Sequence, residues 1–166
     1  MIVLEYILAF VLAAIISNLV EWFTHKYILH GLGKKKGSFF HFHWQHHHIS
    51  RKNKFVDDDY KLGFFKVSAV RREVLSLVVM LLFNINWLFV WPPFFYSLVF
   101  FTALYFWCHS YSHINVPWCK KWLPWHFEHH MGLNQDANWC VTFPLWDYIF
   151  GTRIHYKFDE NDKVIK

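Results

Sequence analysis

Three apolar runs divide the chain. Residues 2–20 are almost unbroken in apolar side chains, with Glu5, Ser17 and Asn18 the main polar interruptions. As a helix at ~1.5 Å per residue this run covers roughly 28 Å, close to the ~30 Å hydrocarbon core of a bilayer. A second run covers residues 74–91 and a third covers 94–108, with Pro92 and Pro93 between them. The double proline predicts a tight turn joining two helices, with Asn84 and Asn86 near it. The third run is about 22 Å as a helix, so it crosses a bilayer only if the helix continues toward His113. A secretory signal is also apolar and N-terminal, but residues 1–20 carry no basic start and no small-residue cleavage pattern. The pattern predicts an all-α integral membrane protein, a single domain over residues 1–166. It would have about three transmembrane helices plus short cytosolic helices in the polar segments.

Charge then orients the spans. Residues 1–25 and 73–119 contain no Lys or Arg; eleven of the 17 basic residues lie between Lys26 and Arg72, and six lie from Lys120 onward. The positive-inside rule places the 26–72 loop and the C-terminal third on the cytoplasmic face, and the N-terminus and the proline turn on the other. This distribution also accounts for the +5 net charge, so no nucleic-acid partner is expected in the absence of a recognition motif. The basic stretches 34–36 and 51–54 can also touch anionic headgroups. Hydrophobic residues at 55% and aromatic ones at 22% exclude a disordered chain. Three Cys with no close pair exclude a disulfide scaffold or a Cys-based zinc ribbon.

The 13 His are the anomaly. Ten fall into four clusters: His25 with His30; His43, His46 and His47; His109 with His113; and His126, His129 and His130. Positions i, i+3 and i+4 share one helix face, which suits both triplets and the 109/113 pair. His25 and His30, five apart, are about 140° apart around an α-helix, so they belong at or past a helix end or straddle two metals. Twelve residues separate His30 from His43, and twelve separate His113 from His126. Each half thus reads as apolar span, His pair, connection, His triplet. Gly37 and Ser38 suit an N-terminal cap for the first triplet's helix, while Pro124 and Gly132 bracket the second.

Ten imidazoles brought together without metal would leave many unmatched donors and acceptors. Imidazole suits zinc, copper, nickel and iron, and ten ligands exceed what one ion accepts, so a two-metal centre follows. Neutral ligands leave the metal charge uncompensated, and acids behind them are expected. Glu21, Asp136 and Asn138 are the candidates for bracing the ligands, with Glu128 a weaker one; interfacial or capping roles compete. His41, His48 and His155 lie outside the scheme.

These residues resemble the membrane fatty acid hydroxylase and sterol desaturase superfamily, whose HX3-4H, HX2HH, HX3H and HX2HH boxes occur here in that order. The segment from Asn138 through Trp146, Asp147 and Gly151 to Thr152 also resembles the family's ending, so the likeness covers about residues 21–152. The resemblance implies a non-haem di-iron oxygenase that uses O2 and two electrons to hydroxylate a lipid C–H bond. It implies metal ligation by His25, His30, His43, His46, His47, His109, His113, His126, His129 and His130, and assigns no other catalytic residue. Zinc can replace iron in a purified sample. Without a fused electron-carrier domain in this sequence, a separate electron-transfer protein is expected. A membrane lipid is the expected substrate, and spans can also pair across a homo-oligomer. Residues 25–31 are similar to the start of carotenoid ring hydroxylases. Residues 144–152 favour the fatty acid hydroxylase branch, hence an acyl chain or a lipid headgroup, with desaturation a third outcome. A haem-binding electron carrier would place its His within the spans, and a metal transporter would line them with polar groups. Neither pattern is present.

Overall fold

The computed structural model describes residues 2–165. Among these the fold is all-helical apart from one two-stranded ribbon. Helix α1 (Ile2–Phe23) continues directly into a π-helical segment, Thr24–Leu32. Then follow α2 (His41–Lys52), α3 (Asp59–Leu62), α4 (Ser68–Phe83), α5 (Trp87–Val90), α6 (Pro92–Ile114), α7 (Val116–Trp122), α8 (Pro124–Met131) and α9 (Leu145–Ile149). Strands β1 (Lys157–Phe158) and β2 (Val164–Ile165) pair antiparallel near the C-terminus.

The apolar runs form helices as expected, but the break between the second and third lies elsewhere. Helix α4 stops at Phe83, the chain reverses through Asn84–Asn86 and the single turn of α5, and Pro92 and Pro93 open α6. The reason is local chemistry. The Asn84 side chain bonds back to the Met80 carbonyl at 2.9 Å and ends the helix. Proline at the first helical positions costs no hydrogen bond, because the amides there lack intrahelical partners anyway. Helix α6 runs on through 23 residues, about 35 Å, and carries His109 and His113 on its last turns.

Among the described residues one helix, Ile2–Leu32, is long and apolar enough to cross a membrane. The expectation of about three spans is therefore met by one on that criterion. Helix α4 has only 16 residues before Asn84, and α6 is diluted by Tyr, Ser and His.

Helices α1 and α6 are the backbone of the fold. Ala9 and Ala13, both fully buried, sit against Phe94, Leu98 and Phe101. Small residues one helical turn apart let the two helices approach closely. Glu5 accepts a hydrogen bond from Trp91 Nε1 at 3.1 Å, so the N-terminus and the proline turn share one end of the molecule. The histidine clusters gather at the other. The outer faces stay apolar: Ile2, Val3, Leu4, Phe83 and Phe89 are each more than 70% exposed. A water-facing surface of that kind is rare in soluble monomers and marks contact with lipid or protein.

Candidate metal centre

Each pair of histidines is delivered by a different kind of helix end. In the π-helical segment the hydrogen bonds run i→i+5, so residues five apart come round to nearly one face. That is how His25 and His30 meet, with ring centroids 5.0 Å apart. They lie just past the end of α1 and enter the same group, so of the two placements their spacing allowed the helix-end one holds and the two-metal one does not. The 109/113 pair needs only the ordinary α-helical step. Helix α2 begins at His41 without a side-chain cap on Phe40. The expected Gly37–Ser38 cap lies just upstream, where Ser38 Oγ accepts from the Phe40 amide at 3.2 Å. Helix α8 spans Pro124–Met131 and ends on Gly132, as the bracketing residues predicted. A Cβ at Gly132 would collide with the Glu128 carbonyl and the Tyr156 ring.

The histidines form two groups that could each hold a metal ion. His25, His30, His43, His47 and His129 make the first; His46, His109, His113 and His130 make the second. His126 joins the second group through His113, Nε2 to Nε2 at 3.1 Å. The groups abut where His47 stacks on His130 at 4.1 Å. Both triplets are divided, in opposite senses. From α2, His43 and His47 enter the first group and His46 the second. From α8, His126 and His130 enter the second and His129 the first. Each group is thus one pair, two members of one triplet and one of the other.

The polar contacts test whether this set fits a metal. His25 Nδ1 lies 2.5 Å from the Trp139 carbonyl, His129 Nδ1 2.6 Å from that of Ala137, and His113 Nδ1 2.8 Å from that of Phe55. His46 Nδ1 is 2.6 Å from Asp57 Oδ2, and His109 Nδ1 is 2.7 Å from Glu73 Oε1. Carbonyl and carboxylate oxygens only accept, so each of these rings carries its proton on Nδ1 and a lone pair on Nε2. The Nε2 atoms nevertheless converge: His25 to His43 at 3.0 Å, and His47 to His43, His30 and His129 at 3.1 Å each. In the second group His46 and His113 stand 3.0 Å apart. At His46 and His113 lone pair faces lone pair, and at His47 one ring proton at most would have to serve three neighbouring nitrogens; such crowding repels unless a cation lies within it. Nitrogens bound to one ion at ~2.1 Å and at right angles to one another are about 3.0 Å apart. The donor set fits metal, and the Nδ1 contacts are those that orient ligating imidazoles. His126 Nδ1 and both nitrogens of His130 are buried with no protein partner, which again favours a ligand that the protein does not supply.

Burial holds these rings neutral. It is the largest cause depressing His43, His47, His126 and His130 far below the ordinary imidazole value, with neighbouring imidazoles adding to it. His129 is lowered to about 4 by burial, against the opposing pull of its bond to Ala137. Neutral imidazole is the form that binds metal. Burial alone would raise Asp57, but the hydrogen bond and charge of His46 hold its carboxyl below the usual range.

The acids behind the histidines are mostly not those expected. Asp57 and Glu73, both buried, hold His46 and His109, and Tyr60 donates to Glu73 Oε2 at 2.8 Å. Sequence offers faint signals for them: three aspartates at 57–59 inside a basic loop, and one glutamate heading an apolar run after Arg71 and Arg72. Asp136 lies 3.4 Å from His30 Nδ1 but is half exposed, with both its oxygens 3.0 Å from Lys34 Nζ. Glu21 makes no hydrogen bond or ion pair with a histidine among the described residues. Its carboxylate accepts from the backbone amides of Val141 and Thr142 and from the Thr142 hydroxyl. Asn138 also works through the chain. It holds a left-handed conformation (φ 57°) between the two residues whose carbonyls receive His129 and His25. Its own amide bonds the Ile154 backbone. Asp147, fully buried, anchors the same loop through the amides of Trp139 and Cys140 at 2.9 and 2.8 Å. Glu128 pairs with Arg153 instead of a histidine. His41 bonds the Gly33 carbonyl, and His48 and His155 are exposed, all three outside the groups.

A cavity of about 460 Å³ opens between α1, α4 and α6 and reaches His43 and Glu73. Phe42, Val79, Met80 and Phe101 are among its apolar walls. Its hydroxyl and amide side chains are largely occupied: Thr24, Ser76, Asn84 and Thr102 each bond a carbonyl of their own helix. The surface it presents is therefore hydrocarbon-like, and it leads to the imidazoles of the first group.

A family model described as fatty acid hydroxylase matches residues 10–152. The chain belongs to the fatty acid hydroxylase family. This is the membrane fatty acid hydroxylase and sterol desaturase superfamily to which the four boxes pointed. No curated protein and no solved structure gives a significant match. Membership makes the chain a member of a membrane-associated, metal-dependent oxidoreductase family.

Proposed function

We propose that the protein is a membrane-embedded, O2-dependent lipid hydroxylase, a single domain over residues 1–166. Its ten histidines would hold two metal ions, iron in the active form. The observation that carries this reading is the convergence of Nε2 lone pairs in two groups beside an apolar slot. The first ion would sit among His25, His30, His43, His47 and His129, the second among His46, His109, His113, His126 and His130. When bound, the ions supply the redox chemistry that activates O2 against an unactivated C–H bond. The protein positions the substrate and keeps water out. Phe42, Met80 and Phe101 offer an apolar bed for a fatty acyl chain or another lipid. The carbonyls of residues 55, 137 and 139 and the carboxylates of Asp57 and Glu73 keep protons on Nδ1, leaving Nε2 free. Helices α1, α4 and α6 would lie in the bilayer, with the histidine end toward the cytoplasm, where the basic residues gather.

Metal analysis of detergent-purified protein, with lipid mass spectrometry of expressing cells, tests the reading. The expected result is two ions per chain and a lipid that has gained one oxygen atom. One ion or none in folded protein would overturn it.

A further inference from the structure

The two histidine groups differ in how they are covered. The second is backed by buried Asp57, Glu73 and Phe55. The cavity of about 370 Å³ that reaches its His46 and His109 is lined by the carboxyl groups of Asp57, Asp59 and Glu73 and, among the described residues, by no lysine or arginine. The first lies one side chain beneath the surface. Trp44, half-buried, sets its ring 5.0 Å from His30 and 5.7 Å from His47. The Gln135 amide is 3.0 Å from His47 Nδ1, and Asp136 is 54% exposed beside His30. Lys34 holds its ammonium 5.3 Å over the Trp44 ring. Lys35 and Lys36 follow it, both exposed.

From this asymmetry we propose that the Trp44 face is where a one-electron carrier protein with an acidic surface docks, and that Trp44 is its contact with the first group. The inference rests on the hydroxylase reading, which needs two electrons for each O2. In each encounter one electron leaves the reduced carrier, which is oxidised. It arrives at the ion that His30 and His47 would hold, which is reduced; two encounters supply the pair. Redox encounters bury little area and depend on electrostatic steering, so the Lys34–Lys36 run sets their rate. An anionic leaflet also attracts lysines, and only the carrier reading requires the face to lie over a redox centre, which here is the His30 and His47 side of the first group.

The test uses full-length protein and a plant-type [2Fe–2S] ferredoxin as the acidic carrier, with dithionite as a small reductant. In iron-loaded protein, the Lys35→Glu/Lys36→Glu variant slows ferredoxin oxidation at least about tenfold at ~10 mM salt, where the Debye length is ~30 Å. The difference closes near 1 M salt, where it is ~3 Å. Reduction by dithionite is unchanged. In zinc-loaded protein, where no electron moves, the same variant raises the Kd for ferredoxin by a similar factor. Trp44→Leu keeps that Kd and slows electron transfer. The proposal is overturned if ferredoxin does not bind the wild type or is indifferent to the charge reversal. It is also overturned if Lys120→Glu/Lys121→Glu causes the loss instead, or if the reversal changes only binding to phosphatidylserine vesicles. Failure of the hydroxylase reading is distinct: dithionite-reduced wild type would then oxygenate no lipid, while the zinc-loaded binding data would still decide the docking face.

Discussion

Replacing Asp57 by Asn should empty one metal site and spare the other. Asp57 is 3% exposed. Its Oδ2 receives His46 Nδ1 at 2.6 Å, and its Oδ1 receives the Asp59 amide at 3.0 Å. Asparagine has the same shape but one acceptor, so one of these two donors loses its partner. The charge that makes His46 a stronger ligand is also lost. Removing a partner of this kind weakens metal binding ~10–100-fold, or about 1.4–2.7 kcal/mol. Only His46 is affected directly, and His46 belongs to the second group. Titration with a graded chelator, followed by metal analysis, should show one ion per chain leaving at roughly tenfold or more lower chelator concentration than in wild type. The other ion should leave as before. Asp58→Asn is the control: Asp58 is exposed and pairs only with Lys61, an interaction of about 0.5 kcal/mol or less. Two ions retained with wild-type chelator resistance in Asp57→Asn would refute the argument that Asp57 orients a ligand. Simultaneous loss of both would refute the division into two separable groups.

Three further outcomes are expected. His46→Ala should lower lipid oxygenation below about 1% of wild type, since a direct ligand should cost more than the ~10–100-fold of a bracing residue; membrane fractionation should show insertion unchanged, because α1 and α6 do not depend on it. His155→Ala should leave activity within about twofold by the same assay, because His155 is exposed and outside both groups; a dead variant would show that the ligand set is incomplete. The metal-free protein should be acid-sensitive. His43, His47, His126, His129 and His130 have folded pKa values below the unfolded ~6.5. The unfolded chain therefore binds more protons, and stability is intact above pH ~6.5 and lost as pH falls toward the folded values. All five rings act in the same direction, so the loss steepens as pH falls below ~6.5. Near-UV circular dichroism should show the transition between pH ~6.5 and ~4.5, and bound metal should move it lower. A metal-free protein with an unchanged spectrum at pH 4.5 would contradict the burial of neutral imidazoles.

Much of this protein is a local property of its chain. The ten histidines, their i, i+3, i+4 spacing, the two matched halves and the apolar runs are visible without coordinates. Each depends on residues near one another, and helical periodicity translates such spacing directly into a shared face. The same locality explains why Pro124 and Gly132 bound α8 as expected. Other features depend on which surfaces meet. Glu73 finds His109 across 36 residues, and Glu21 finds Thr142 across 121. No spacing rule encodes such contacts, because they exist only once α4 lies beside α6 and the C-terminal loop folds over α1. The splitting of each triplet between two groups is likewise a tertiary outcome. Residues on one helix face still differ by a turn in height, and two opposed helices sort them to different centres. The π-helical segment is the sharpest case. Five-residue spacing is wrong for an α-helix, and the widened turn that brings His25 and His30 into one group is seen only in the tertiary structure. Three buried carbonyls complete the centre, from residues 55, 137 and 139. Every residue type has a carbonyl, so the sequence alone cannot mark which will turn toward a metal ligand.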